Sequence, residues 1–479
     1  MLTAIANRDS RLTLWLRVRE FAVPPAMIET ATTRRLAGDW QAACTAAGVD
    51  VDIDLRFEAR TRGGEFAARI RDDLRGLAPD LLRWHMPRIA PDGLLRPGLT
   101  VSLARYDVGE RGGARPVHLV ARTPPAWADA GQRIALALWD GSHRDAAGFR
   151  HHPHRHPHRR FRLDLHRHLW DARRSAELWI RSGADRPPSE GSSGPDPTSA
   201  GLDPTSAGPV PAECAVDRWA AEAAILLRAE GRPAGTGLVA VRCGGRRRLV
   251  LHVVADDDGP EPSTVRIPAV DTRPGGDATG LPVLPDAATW TPPDLELLRA
   301  GLIEPDRLHP LVAAALVPGH VPGAAPARAD HPSGRPDIVE CRGARHRIGL
   351  VDGVLAPLDH DPAEIRREEL LHALTGTPLP CLQAIDAAHR RPDCIAGVRE
   401  RLDHGDIAGA LAVVESLLGP DALPRGGLLR DELEDAAERL ITHGLFRAGL
   451  GGPAPDRIPL PDRPRPRTRR AHPRNMHPH

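Results

Sequence analysis

The chain contains no lysine: all 64 residues in its Lys-plus-Arg total are arginine. That absence removes whole reaction classes. A Walker-type phosphate loop needs a lysine at the β/γ-phosphates, a protein kinase needs one on its third strand, and Schiff-base chemistry needs an amine whose pKa can be lowered. Arginine stays protonated at any usable pH and cannot take the last role. ATP-driven motors, ordinary kinases, pyridoxal-phosphate enzymes and Ser-Lys hydrolases are set aside.

Other scarcities narrow the field further. One Tyr and six Phe beside nine Trp supply few stacking platforms for single-stranded nucleic acid. No run approaches the roughly 20 apolar residues of a membrane helix. The stretch Met1 to Pro25 places Arg8, Asp9 and Arg11 ahead of any apolar run and does not read as a signal peptide. The six cysteines, Cys44, Cys214, Cys243, Cys341, Cys381 and Cys394, never form a C-x-x-C pair. Neither a zinc ribbon nor a disulfide framework is indicated, and the expected address is a reducing cytoplasm. The G-x-S-x-G, H-E-x-x-H, G-x-G-x-x-G and kinase signatures are all missing.

What is present is a long, charge-balanced chain. Its 479 residues predict two to four domains at about 150 residues each. With 63 acidic residues against 64 basic ones, no global field favours nucleic acid or membrane. Ser182 to Glu213 is rich in Pro, Ser, Gly and Asp and repeats Asp-Pro-Thr-Ser-Ala-Gly at Asp196 and Asp203, the composition of a flexible linker. The expected organisation is an α+β domain at 1–181, the linker at 182–213, a β-rich α+β domain at 214–361, an all-α helical-hairpin module at 362–450, and a disordered Pro/Arg tail at 451–479. Both sheet-containing regions are expected to be antiparallel.

Within this frame, Pro24-Pro25 predicts a helix start running toward Gly48. Val49 to Phe57 alternates apolar and charged residues and predicts a strand, as do Leu99–Tyr106, Val117–Arg122, Arg133–Trp139 and Arg160–Leu165. A helix is expected at Ala215–Glu230 and hairpins at Gly237–Ala255 and Asp337–Leu350, with Val351-Asp-Gly353 as the next turn. Ile407, Leu411, Val414 and Leu418 form one helical stripe and Leu429, Leu433, Ala436 and Leu440 another, with Gly419-Pro420 as the stop between them. Gly405-Asp406 echoes Gly38-Asp39, and both resemble the start of a helix in tetratricopeptide-like hairpins, although no period of about 34 residues links them.

Five clusters carry candidate chemistry. His151-His-Pro-His-Arg-His-Pro-His158, followed by His166 and His168, is the densest. In an extended segment, imidazoles two apart share a face at about 6.6 Å, so His154, His156 and His158 are the candidate ligands for a divalent metal such as zinc. A solvated loop is the competing reading. Asp50, Asp52 and Asp54 on one strand face offer carboxylates to a cation, or simply a solvated sheet face. Asp359-His360-Asp361 with Glu369 and His372 on the next helix offers a third set, although either aspartate also suits a helix cap. Asp256-Asp-Asp-Gly259 reads mainly as a turn. The tail carries seven arginines against Asp456 and Asp462, and Arg465, Arg467, Arg469 and Arg470 are the candidate contacts for an acidic partner or phosphates.

The missing catalytic signatures weigh most. The expected function is a non-enzymatic cytoplasmic protein-interaction or scaffold protein with another protein as partner, no membrane association, and no cofactor unless a divalent metal. A metal-dependent hydrolase using a carboxylate/histidine site is the alternative, and nucleic-acid association through the basic tail is the third.

Overall fold

The computed structural model describes residues 2–107, 116–141, 152–186, 210–232, 235–244, 248–254, 264–271, 280–320, 337–341, 344–352, 354–375, 380–420 and 423–450. They fall into two units, one drawn from 1–127 and 133–322 and the other from 128–132 and 323–451.

The first unit opens with α1 (Leu2–Phe21) and α2 (Pro25–Leu36) on either side of the proline pair. The helix expected to continue toward Gly48 is broken at Gly38, which takes a left-handed φ of 80°. Asp39 then accepts a hydrogen bond from Ala42 N at 3.0 Å and starts α3 (Trp40–Ala46). The strand expected over Val49–Phe57 is likewise cut short. After β1 (Val49–Asp52), Asp54 accepts from the amides of Arg56 and Phe57 at 2.9 and 3.0 Å and caps α4 (Leu55–Arg62). Local capping overrides the period-2 pattern, leaving Phe57 exposed and Glu58 buried.

After α5 (Gly64–Gly76), α6 (Pro79–His85) and a short ribbon of β2 (Arg88–Ile89) and β3 (Leu94–Leu95) come β4 (Thr100–Tyr106), β5 (Val117–Arg122) and β6 (Ile134–Trp139). These three match the expected strands and pair antiparallel in the order β6-β5-β4. At the other edge β1 joins β6 in parallel, Val49 opposite Ile134, so this sheet is mixed where an antiparallel one was expected. The strand expected at Arg160–Leu165 is absent. The chain there enters a run of 3-10 turns at Leu163–Leu165, Arg167–Leu169 and Ala172–Glu177, and then α7 (Leu178–Ser182).

Most of the expected linker, 187–209, lies outside the described residues. Beyond it, α8 (Trp219–Ala229) covers an antiparallel sheet of β7 (Gly237–Arg242), β8 (Arg248–Val254) and β9 (Thr264–Asp271), burying Trp219, Leu226, Val239 and Leu249. Three short helices follow: α9 (Asp286–Thr289), α10 (Pro293–Arg299) and α11 (Pro310–Leu316). Leu297 and Val312 enter the same core as Leu12, Val49 and Leu103, so segments on both sides of the linker share one interior. Arg19 Nε and Nη2 donate to the two oxygens of Asp294 at 2.6 and 3.0 Å in that interior, and Trp84 Nε1 donates to Asp294 at 3.1 Å. Such a pair adds little net stability over an apolar replacement, but removing one partner strands a buried charge at a cost of about 3 to 5 kcal/mol.

In the second unit, β10 (Asp337–Cys341), β11 (Ala344–Val351) and β12 (Val354–Pro357) form an antiparallel meander, β10 and β11 pairing as the expected hairpin. Five helices follow: α12 (Pro362–Thr375), α13 (Pro380–Arg390), α14 (Ile395–His404), α15 (Ile407–Leu418) and α16 (Leu428–Arg447). The hairpin partner of α15 is α14. Gly405 ends α14 at φ 84°, and Asp406 accepts from Gly409 N at 3.0 Å to start α15, repeating the Gly38-Asp39 junction. A Cβ at Gly405 would lie 2.0 Å from the Gly131 carbonyl oxygen, so this position admits only glycine. The core contains Val398, Leu402, Ala410, Val414, Leu418 and Leu429. The buried face of α15 therefore centres on Ala410, Val414 and Leu418. Leu411 sits at its margin, 42% exposed, and Leu440 falls off the second stripe.

A candidate metal centre

In the second unit, three segments far apart in sequence bring two thiols and an imidazole together. Cys341 is the last residue of β10, opposite Ala344 across the hairpin. Cys381 is the second residue of α13, which packs on the meander. His360 lies in the turn between β12 and α12, and its two aspartate neighbours hold that turn. Asp359 receives Arg347 N, Nε and Nη2 at 3.0, 3.1 and 2.9 Å, and this guanidinium holds its carboxyl down at about 2. Asp361 accepts from Ala363 N at 2.9 Å and caps α12. The imidazole between them is directed inward, with 4% of its side chain exposed, and both cysteines are fully buried.

One ligand atom from each of Cys341, His360 and Cys381 lies within 4.8 Å of the other two. Cys381 Sγ and His360 Nε2 are 3.5 Å apart. A tetrahedral zinc with Zn–S of about 2.3 Å and Zn–N of about 2.0–2.1 Å sets that edge at about 3.5 Å. On the far side of the ring, Nδ1 lies 3.7 Å from Glu364 Oε2, beyond hydrogen-bond distance. The ring of His346 stacks on that of His360, centroids 3.8 Å apart and planes 14° from parallel, and His346 Nδ1 is buried with no hydrogen-bond partner. Burial and the neighbouring Cys341 thiol push the Cys381 thiol up to about 11. Without a cation, the Cys381 thiol is therefore neutral at pH 7. Two thiolates and an imidazole select a borderline-soft ion such as zinc over magnesium or calcium.

His360 alone of the third sequence candidate enters this centre. Glu369 and His372 lie on the exposed side of α12. Cys341 and Cys381 were invisible in the sequence because they share no C-x-x-C spacing and meet only through the fold. The densest candidate, by contrast, is dispersed. His156 meets Trp139 edge-on at 5.5 Å, and His158 lies over Phe161 with its Nδ1 accepting from Arg160 N at 3.2 Å. The His154 carbonyl accepts from Thr100 Oγ1 at 2.6 Å, and His158 N donates to Thr100 O. The tract is thus an ordered strap along β4. His166 instead belongs to a buried group in which its Nε2 lies 3.2 Å from Glu222 Oε2, beside Arg181 and His168. Asp50 pairs with Arg133 and Asp54 caps α4. Among the described residues, the Cys-His-Cys group is the one set of three or more such side chains with metal-binding spacing. Asp256–Asp258 and tail residues Arg465, Arg467, Arg469 and Arg470 lie outside the described residues. Among those described, no helix is long and apolar enough to cross a membrane. No protein family, curated protein or solved structure matches the chain.

Proposed function

We propose that the chain is a non-enzymatic protein-interaction protein whose second unit is a helical module clasped to its β-meander by one zinc ion on Cys341, His360 and Cys381. The observation that carries this is the buried sulfur–nitrogen spacing of a tetrahedral site. Ligands sealed from solvent suit a structural ion, whereas a catalytic zinc keeps a position open to substrate. Six free thiols and thiolate ligation both suit a reducing compartment, and the cytoplasm is the proposed location.

A metal-dependent hydrolase is the second reading, favoured by the count of assembled ligands: three, leaving a fourth position for water. Hydrolysis of phosphate and acyl esters by the full chain, with and without added zinc, separates the two. The interaction reading expects no metal-dependent turnover, together with partner capture that chelation abolishes and zinc restores. Zinc-dependent turnover lost in His360→Ala would replace it with the hydrolase.

A further inference from the structure

In the first unit, the histidine strap forms one wall of a cavity of about 410 Å³ that also takes in Arg242, at the end of β7, and Val283. That volume is in the range of small-molecule sites. Its charge is one-sided: Arg155, Arg159, Arg160 and Arg242 line it, together with His154, His156 and His158, and among the described residues no carboxylate does. Asp286 pairs with Arg160 at 2.9 and 2.7 Å. Among the described residues, neither Arg242 nor Arg159 has a carboxylate at ion-pair distance, and Asp286 acts on Arg242 only from further away.

Burial, and after it the neighbouring cations, shift the groups around the cavity. Burial, then Arg160 and Arg96, push the His158 imidazole down to about 4, so it is neutral at pH 7. Burial and Arg160 likewise lower Arg242 and Arg96. Such a field repels a metal cation and attracts an anion. Arginine's planar fork of N–H donors matches the oxygens of a phosphoryl group, while the neutral His158 imidazole adds no competing charge.

We propose that this cavity binds a small molecule through a phosphoryl dianion, with Arg242 and Arg159 as the principal contacts. Isothermal titration of the full chain at low ionic strength, with inorganic phosphate, pyrophosphate and adenosine monophosphate in separate arms, tests this. The arms distinguish a bare phosphate from a phosphate carried by a larger molecule. One site per chain is expected for at least one probe, weakened at least tenfold by Arg242→Gln and several-fold by Arg159→Gln. Arg242→Lys, which keeps the charge but loses the fork, should fall between the native chain and Arg242→Gln. Arg34→Gln, at an exposed position elsewhere in the unit, should leave the affinity unchanged. If Arg242→Gln does not fold, Arg159→Gln at the exposed rim carries the test. Absence of binding up to millimolar concentrations of all three anions would overturn the proposal. So would native affinity in the folded glutamine variants.

Discussion

The histidine strap and the Cys-His-Cys centre differ in a way that separates composition from geometry. The strap gathers ligand-type side chains densely in sequence, yet its backbone is pinned along β4 at Thr100 and its rings turn to separate neighbours, Trp139 and Phe161. The centre draws one residue each from a strand end, a turn and a helix start, and places their ligand atoms together in a buried pocket. Convergence in space under desolvation makes a metal site. Local abundance of imidazoles does not, least of all among arginines.

The comparison is broken most severely by Cys341→Ser with Cys381→Ser. Structural zinc supplies folding free energy of about 10–16 kcal/mol in small zinc peptides, so losing it should unfold or loosen the second unit. Circular dichroism or hydrogen exchange should report this, while Trp84 and Trp219 in the first unit keep their buried fluorescence. Next in size is the packing of the helical core. Leu402→Ala, at a buried position, should cost about 2 to 5 kcal/mol in denaturant unfolding, whereas Leu411→Ala at 42% exposure should cost no more than about 1 kcal/mol. Equal costs would mean that the face of α15 is misassigned.

Acid should then sharpen the contrast from the other side. His85, His152 and His158 in the first unit are each lowered to about 4, chiefly by burial, from 6.5. The folded state keeps them neutral while the unfolded chain takes up protons below pH 6.5. Their contribution is therefore complete above about pH 6.5 and is lost as the pH falls toward 4. The melting temperature of the first unit should decline through that window, and a flat profile would contradict their burial as neutral rings. The smallest effect belongs to replacing His154, His156 and His158 together with alanine. Bound zinc should not change, because the proposed ligands are Cys341, His360 and Cys381.

Much of the fold was legible where short-range chemistry decides it. The strand Val117–Arg122, the pairing of β10 with β11, and the two Gly-Asp junctions each follow from residues within a few positions of one another. Local rules also explain the failure at Asp54, where a side-chain cap won over alternation. The parallel pairing of β1 with β6 and the sharing of one core across the linker depend on contacts between distant segments, and periodicity carries no record of them. The same limit applied to the centre. His360 could be picked out beside its aspartates, but Cys341 and Cys381 meet it only because α13 packs on the meander.

The central claim is tested most directly by zinc content per chain, measured by inductively coupled plasma mass spectrometry. The protein should be prepared without an affinity tag, in native form and as the Cys381→Ser and His154/His156/His158→Ala variants. The expected result is one zinc in the native chain and in the histidine variant, with little or none in Cys381→Ser. Zinc that persists in Cys381→Ser and disappears with the three histidines would place the metal on the strap and contradict the account.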